Sequence, residues 1–449
     1  MSRQSNIFFR KPTTNPYRIF LLLVFILGGI WLIRQVELGN IQRPFLPTPT
    51  PTRVAKSYAL EGDAQFEAGK LEAAITAYQE ATRVDPANSE VWAKLARIQT
   101  YSSVQLTTDD QQRERLQEGL ASINKAVELA PDDSTVHAIR AFVLDWNANS
   151  ILFGTEQAAD YLLEAEQEAV RALQLDNQNT LALAYYAEIL VDAQKWSQGE
   201  QYINQAVEQD DTLMDVHRVN AYVLESLGQY NQAIQEYDKA LAISPNLTFL
   251  YLRAGANYRR LAFDSPNGET RTQLYENSLE YFAKAARLNE QLGILDPIPY
   301  LSISKTYSQE GEFFIAARNV QRALEIDPSN ADIYGQLGII YFKSRNYEGS
   351  IPALKCTIRG CTAEESCEGR GGCGPNDTPA SVIGLDLTPN TVVYYYTYGS
   401  VLAALSRPKE NNCEEAMAVM SEVRADYSDD RDIMGIVQAG EAICQSLNE

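Results

Sequence analysis

The chain has 449 residues, with 38 Lys and Arg against 59 Asp and Glu and a formal charge of −21. The first acidic residue is Glu37, and the sequence beyond position 36 carries 33 basic against 59 acidic side chains. Such an excess argues against nucleic acid as partner, because neutralising phosphates needs the opposite sign, and suits a solvated acidic surface.

Residues 1–18 form a polar, basic tail with Arg3, Arg10, Lys11 and Arg18. Ile19 to Ile33 then runs for fifteen residues without a charge and ends at Arg34. A span usually needs about twenty apolar residues, but Arg18 and Arg34 can snorkel, and Tyr17 and Trp31 suit the interfaces. Residues 19–36 are therefore expected to be a signal anchor. A cleaved signal peptide is the alternative, although no small-x-small site comes after the run. The basic residues before it place the N-terminus in the cytoplasm and the rest outside. Residues 37–54 are a linker whose Pro/Thr alternation, PFLPTPTPT over 44–52, predicts an extended spacer of about 28 Å.

From Ala55 the chain repeats. Residues 55–88 and 214–247 align without a gap, with Gly62, Ala74, Tyr78, Ala81 and Pro86 matched by Ala221, Ala233, Tyr237, Ala240 and Pro245. Spacings of three, four and seven predict two amphipathic helices per unit, with a turn at Gly228 in the second example. The pattern of a ring at position 4, small residues at 8, 20 and 27, and Pro at 32 resembles the tetratricopeptide repeat. It returns at Trp92–Pro131, His137–Ala172, Ala187–Ala206, Tyr251–Ala285, Tyr300–Pro328 and Tyr334–Tyr341. The resemblance implies an all-α solenoid of antiparallel helix pairs in a right-handed superhelix, with about eight repeats over 55–355. It also implies a non-catalytic scaffold that binds other proteins.

Three repeats carry extra residues, near 102–112, 147–158 and 262–272. These either project from one edge of the solenoid or lengthen the second helices. From Cys356 the eighth repeat is expected to break into a cysteine-rich loop, 356–390, with a final helix pair and cap over 391–449. Cys356, Cys361, Cys367 and Cys373 lack the C-x2-C spacing of zinc sites and have no nearby His. Disulfides are expected, with their pairing open; a metal cluster or free thiols are the alternatives. Cys413 and Cys444 stand almost equally far from a turn at 427–430, so an antiparallel hairpin would pair them.

His137 and His217 both occupy position 4 and read as packed rings. No phosphate loop, nucleophile elbow or metalloprotease motif is present, no cofactor is indicated, and no titratable cluster stands out. Some members of the repeat family clamp a carboxylate with Lys and Asn; Ala59 and Asp63 stand there instead. The inner face offers Phe142, Trp146, Tyr222, Phe249 and Arg259 as a candidate groove for a peptide or helix. The expected protein is a membrane-anchored, extracytoplasmic interaction scaffold, with the membrane contacted through its N-terminal helix. The alternatives are a self-assembling subunit of a surface filament or layer and a cytoplasm-facing assembly factor.

Overall fold

The computed structural model describes residues 15–38, 53–266, 268–374, 377–408 and 411–448. The expected Pro/Thr spacer over 44–52 and most of the basic tail lie outside them. Two units succeed one another along the chain, dividing at Arg53 and Val54.

The first unit contains helix α1, Pro16–Glu37, whose N-terminus is capped by the Asn15 side chain. At 22 residues it extends about 33 Å, so it is longer than the uncharged run because Arg18 and Arg34 both lie within it. It is long and apolar enough to cross a membrane.

The second unit is a succession of helix pairs. They are α2 (Ala55–Glu67) with α3 (Leu71–Val84) and α4 (Ser89–Ser102) with α5 (Asp109–Leu129). Next come α6 (Ser134–Asn147) with α8 (Thr155–Leu175), bridged by the short α7 (Ser150–Phe153), then α9 (Thr180–Asp192) with α10 (Trp196–Gln209). After these stand α11 (Met214–Ser226) with α12 (Tyr230–Ile243), α13 (Thr248–Asp264) with α14 (Glu269–Leu292), and α15 (Ile298–Glu310) with α16 (Phe313–Ile326). The series ends with α17 (Ala331–Lys343) and α18 (Tyr347–Arg359), the short α19 (Ala363–Gly369), α20 (Val392–Leu405) with α21 (Cys413–Tyr427), and α22 (Arg431–Asn448).

The repeat pattern packs for a local reason. Ala96, Ala141, Ala187 and Ala221 at position 8, and Ala126, Ala172, Ala206 and Ala240 at position 27, are all fully buried. Small residues there let paired helices approach until the larger side chains interdigitate. The ring at position 4 has a second task. Trp92, His137, His217, Tyr251 and Tyr334 each bond, at 2.8–3.1 Å, the backbone carbonyl six residues back, at position 32 of the preceding repeat. Both histidines are thus packed and bonded, and each also meets a carboxylate of its own second helix, Glu168 or Glu236.

The extra residues go mainly into the second helices. α5 and α8 have 21 residues and α14 has 24, against 14 in α3, α10, α12 and α16. The remainder, the 3-10 turn at Ser103–Gln105 and α7, folds inward, where Val104 and Ile151 line the groove.

The eighth repeat does not break at Cys356. α18 continues through it, with Pro352 inside, and stops at Gly360. Gly360 has φ +74°, and a Cβ there would lie 2.6 Å from the Val382 carbonyl oxygen, so only glycine fits this close return of the chain. A single antiparallel bridge joins Cys361 to Val382. The six sulfurs lie at bonding distance in three pairs, Cys356–Cys361, Cys367–Cys373 and Cys413–Cys444.

Candidate functional site

The first helices of successive pairs form the inner wall of the superhelix. Its winding is tight enough for α4 to meet α11 and α13 across the groove. Asp215 at the start of α11 receives the Arg97 guanidinium and the Tyr101 hydroxyl of α4, and the Tyr185 hydroxyl of α9 at 2.7 Å. Burial alone would raise the Asp215 carboxyl; Arg97 and Arg218 outweigh it and hold its pKa at about 2. One turn along α11, Arg218 grips Glu188 of α9 with two bonds of 2.7 Å and donates to Tyr101 at 3.1 Å. Its guanidinium lies 5.4–5.8 Å from the ring centres of Tyr101, Phe142 and Trp146. Tyr101 stacks on Phe249 at 5.3 Å and Phe142 on Tyr185 at 4.7 Å.

Other contacts tie the start of the solenoid to later repeats. Asn246 donates to the Glu67 carbonyl at 2.9 Å, and Thr107 to Asp327 at 2.8 Å. Gly69, at φ +77°, sits so near the Asn246 carbonyl that a Cβ would come within 2.1 Å of its oxygen.

These contacts fill the floor of the groove and leave a cavity of about 760 Å³ above it. Trp146, Tyr222 and Phe249 form its aromatic walls, with Glu188, Arg218 and Arg253 among them. Asp145 lies at its base, only 6 % exposed, and its Oδ1 has no hydrogen-bond partner. Asp192 lines the same cavity at its mouth, with access to water, and accepts from the Tyr222 hydroxyl. Burial, then Asp192 and Glu188, push the Asp145 carboxyl well above the ordinary carboxylate range, and Asp192 is raised to about 6 in its concave surroundings.

The expected groove is thus partly redrawn. Trp146, Tyr222 and Phe249 share one cavity, whereas Phe142 is fully buried beneath it. Arg259 belongs elsewhere: ten residues beyond Phe249 on α13, about 15 Å along the axis, it faces a second cleft with Lys305 and Lys343. Asp63, in the place of a carboxylate clamp, is taken by the Tyr78 hydroxyl at 2.6 Å and by Lys94 at 3.2 Å. The expectation that no titratable cluster stands out is corrected, since Asp145, Glu188, Asp192, Asp215, Arg97 and Arg218 converge here. Their inner-face positions were visible in the sequence, but their pairing depends on how tightly the superhelix winds. Among the described residues, no group of three His, Cys, Asp or Glu side chains is placed to hold a metal ion.

Comparison with known proteins agrees with this architecture. A family model described as TPR repeat matches residues 62–99, and one described as tetratricopeptide repeat matches residues 221–247. Among solved structures, human IFIT1, a dimer with PPP-AAAA, is 16% identical, with a TM-score of 0.53 over 89% of this chain and 92% of that one. TTC0263, a thermophilic TPR protein of Thermus thermophilus, is 17% identical, covers 45% of this chain and 98% of its own, and has a TM-score of 0.37. A monomeric IFIT1 mutant with Gppp-AAAA is 15% identical over 93% of each chain, with a TM-score of 0.48. With the repeat register running through successive helix pairs and family models matching residues 62–99 and 221–247, the chain carries tetratricopeptide repeats.

Proposed function

We propose that the protein is a non-catalytic, membrane-anchored scaffold whose repeats stand outside the cytoplasm and bind a protein partner in the groove. Tetratricopeptide repeats support a protein-interaction role in general. The observation that carries the finer reading is the pairing of all six cysteines at bonding distance in a chain that also has an apolar N-terminal helix. Disulfides persist in oxidising spaces, and basic residues before the helix favour retention of the N-terminus in the cytoplasm. On the groove floor Arg97 is paired with Asp215 and Arg218 with Glu188, which supports a structural role for these four groups over a catalytic one. A phosphate chain such as the one named for the human structural neighbour is a poor fit, since the cavity has two carboxyls, Asp145 and Asp192, with no cationic partner.

The test is labelling of intact cells with a membrane-impermeant thiol reagent, with and without an impermeant reductant. Labelling only after reduction is the expected result. Labelling only after lysis, with no reductant needed, would put the repeats in the cytoplasm and refute the reading.

A further inference from the structure

The cations around the cavity are already matched. Arg218 holds Glu188, Arg253 holds Glu225 at 2.9 Å, and Arg97 holds Asp215. What remains is a pair of carboxyls from two helices, Asp145 on α6 and Asp192 on α9. Among the described residues no cation forms an ion pair with either, yet both line the same cavity. Asp145 lines the cavity, and its enclosed Oδ1 makes no hydrogen bond among the described residues. A buried acceptor left unmade is costly, so its persistence points to a donor that arrives from outside. The walls beside it, Trp146, Tyr222 and Phe249, present aromatic surface to the same space, the environment that favours an organic cation with an alkyl stem. A metal ion fits less well: Glu188, the third carboxylate, already receives Arg218 and Trp146.

We propose that this cavity binds the ammonium group of a lysine side chain on a partner protein, held between Asp145 and Asp192 with its methylene stem along Trp146 and Tyr222. An ammonium carries three donors on a compact head, which suits two carboxyls on different helices better than the planar guanidinium fork does. The inference rests on the scaffold reading only for what carries the lysine. Burial and the neighbouring carboxylates raise both carboxyls, so the incoming cation should displace a proton from the pair. Glu188 on α9, Arg218 and Tyr222 on α11, Tyr237 on α12 and Arg253 on α13 are the other charged and titratable groups lining the cavity with that pair.

The test uses the full chain in detergent and the end-blocked tripeptide acetyl-Gly-Lys-Gly-amide, with titration calorimetry at pH 6 in two buffers of different ionisation enthalpy. Saturable binding with proton release is expected, weakened about tenfold or more in both Asp145→Asn and Asp192→Asn. Asp192 stands at the solvent-accessible mouth, so its variant keeps the test valid if Asp145→Asn fails to fold by circular dichroism. Equal binding of the norleucine tripeptide would overturn the proposal, because recognition would then be apolar only. Binding of n-butylammonium without the tripeptide would also overturn it, assigning the site to a free amine. Competition by millimolar calcium in place of ammonium would overturn it in favour of a metal. Failure here leaves the topology assay untouched, so the two readings fail separately.

Discussion

Replacing Asp215 tests whether the groove floor holds the superhelix closed. The carboxyl is 4 % exposed, and its pKa falls from 3.8 to about 2 on folding. That difference corresponds to about 2 kcal/mol of stability. Because the folded pKa is depressed, this contribution is fully present above pH 3.8 and is lost as pH falls towards 2. Asp215→Asn should therefore destabilise the protein at pH 7 by at least that much, rising to about 3–5 kcal/mol if the buried Arg97 is left without a counter-charge. The variant should also flatten the acid limb of stability measured in urea between pH 4 and 2. Hydrogen exchange supplies the decisive readout, because repeat arrays unfold in parts. Arg97 is 118 residues from Asp215, so a change on α11 should speed exchange in α4 as well. Faster exchange confined to α11, or unchanged stability at pH 7, would refute this account of the floor.

Other outcomes rest on particular contacts. Changing both Cys413 and Cys444 to Ala opens a loop with a sequence separation of 31. The expected loss is about 3.7 kcal/mol, read as roughly 500-fold faster exchange in α21 and α22 with α9 unaffected. Asp296 is buried, caps α15 through Ile298 and has its carboxyl pushed up to about 6 by burial. A raised carboxyl stabilises most below its unfolded value, so its contribution is lost as pH rises through 6. Asp296→Asn should remove that penalty and raise stability at pH 8 by up to about 3 kcal/mol, provided the Asn289 amide turns over, so that its unpartnered Oδ1 accepts from the new amide where its Nδ2 now donates to Asp296. An unchanged melting temperature at pH 8 would count against it. Ala233→Leu should overpack the α11–α12 contact and cost about 1–3 kcal/mol in urea unfolding, since Ala233 is fully buried.

Much of the fold was legible because repeats are local. Small residues at fixed spacing mark the register in which α2, α4, α6, α9, α11 and α13 each open a repeat, and the α21–α22 hairpin brings Cys413 to Cys444 as its turn requires. The expected break at Cys356 comes four residues later, because α18 runs on until Gly360, at φ +74°, sets the stop. In the groove, Trp146, Tyr222 and Phe249 could be read from inner-face positions. Asp145 with Asp192, and Arg97 with Asp215, could not. Pairings between separate repeats depend on superhelical radius, which small shifts at every helix crossing set together.

The bond from Asn246 to Glu67 spans 179 residues, and that from Thr107 to Asp327 spans 220. Repeat arrays normally have low contact order, fold from any point and fray from their ends. Here the first repeats are fastened to much later ones, so closure should be a late and slow folding step. It also makes the beginning and middle of the solenoid open as one cooperative body. A partner seated on α11 and α13 would then protect α2 and α4 from unfolding without touching them.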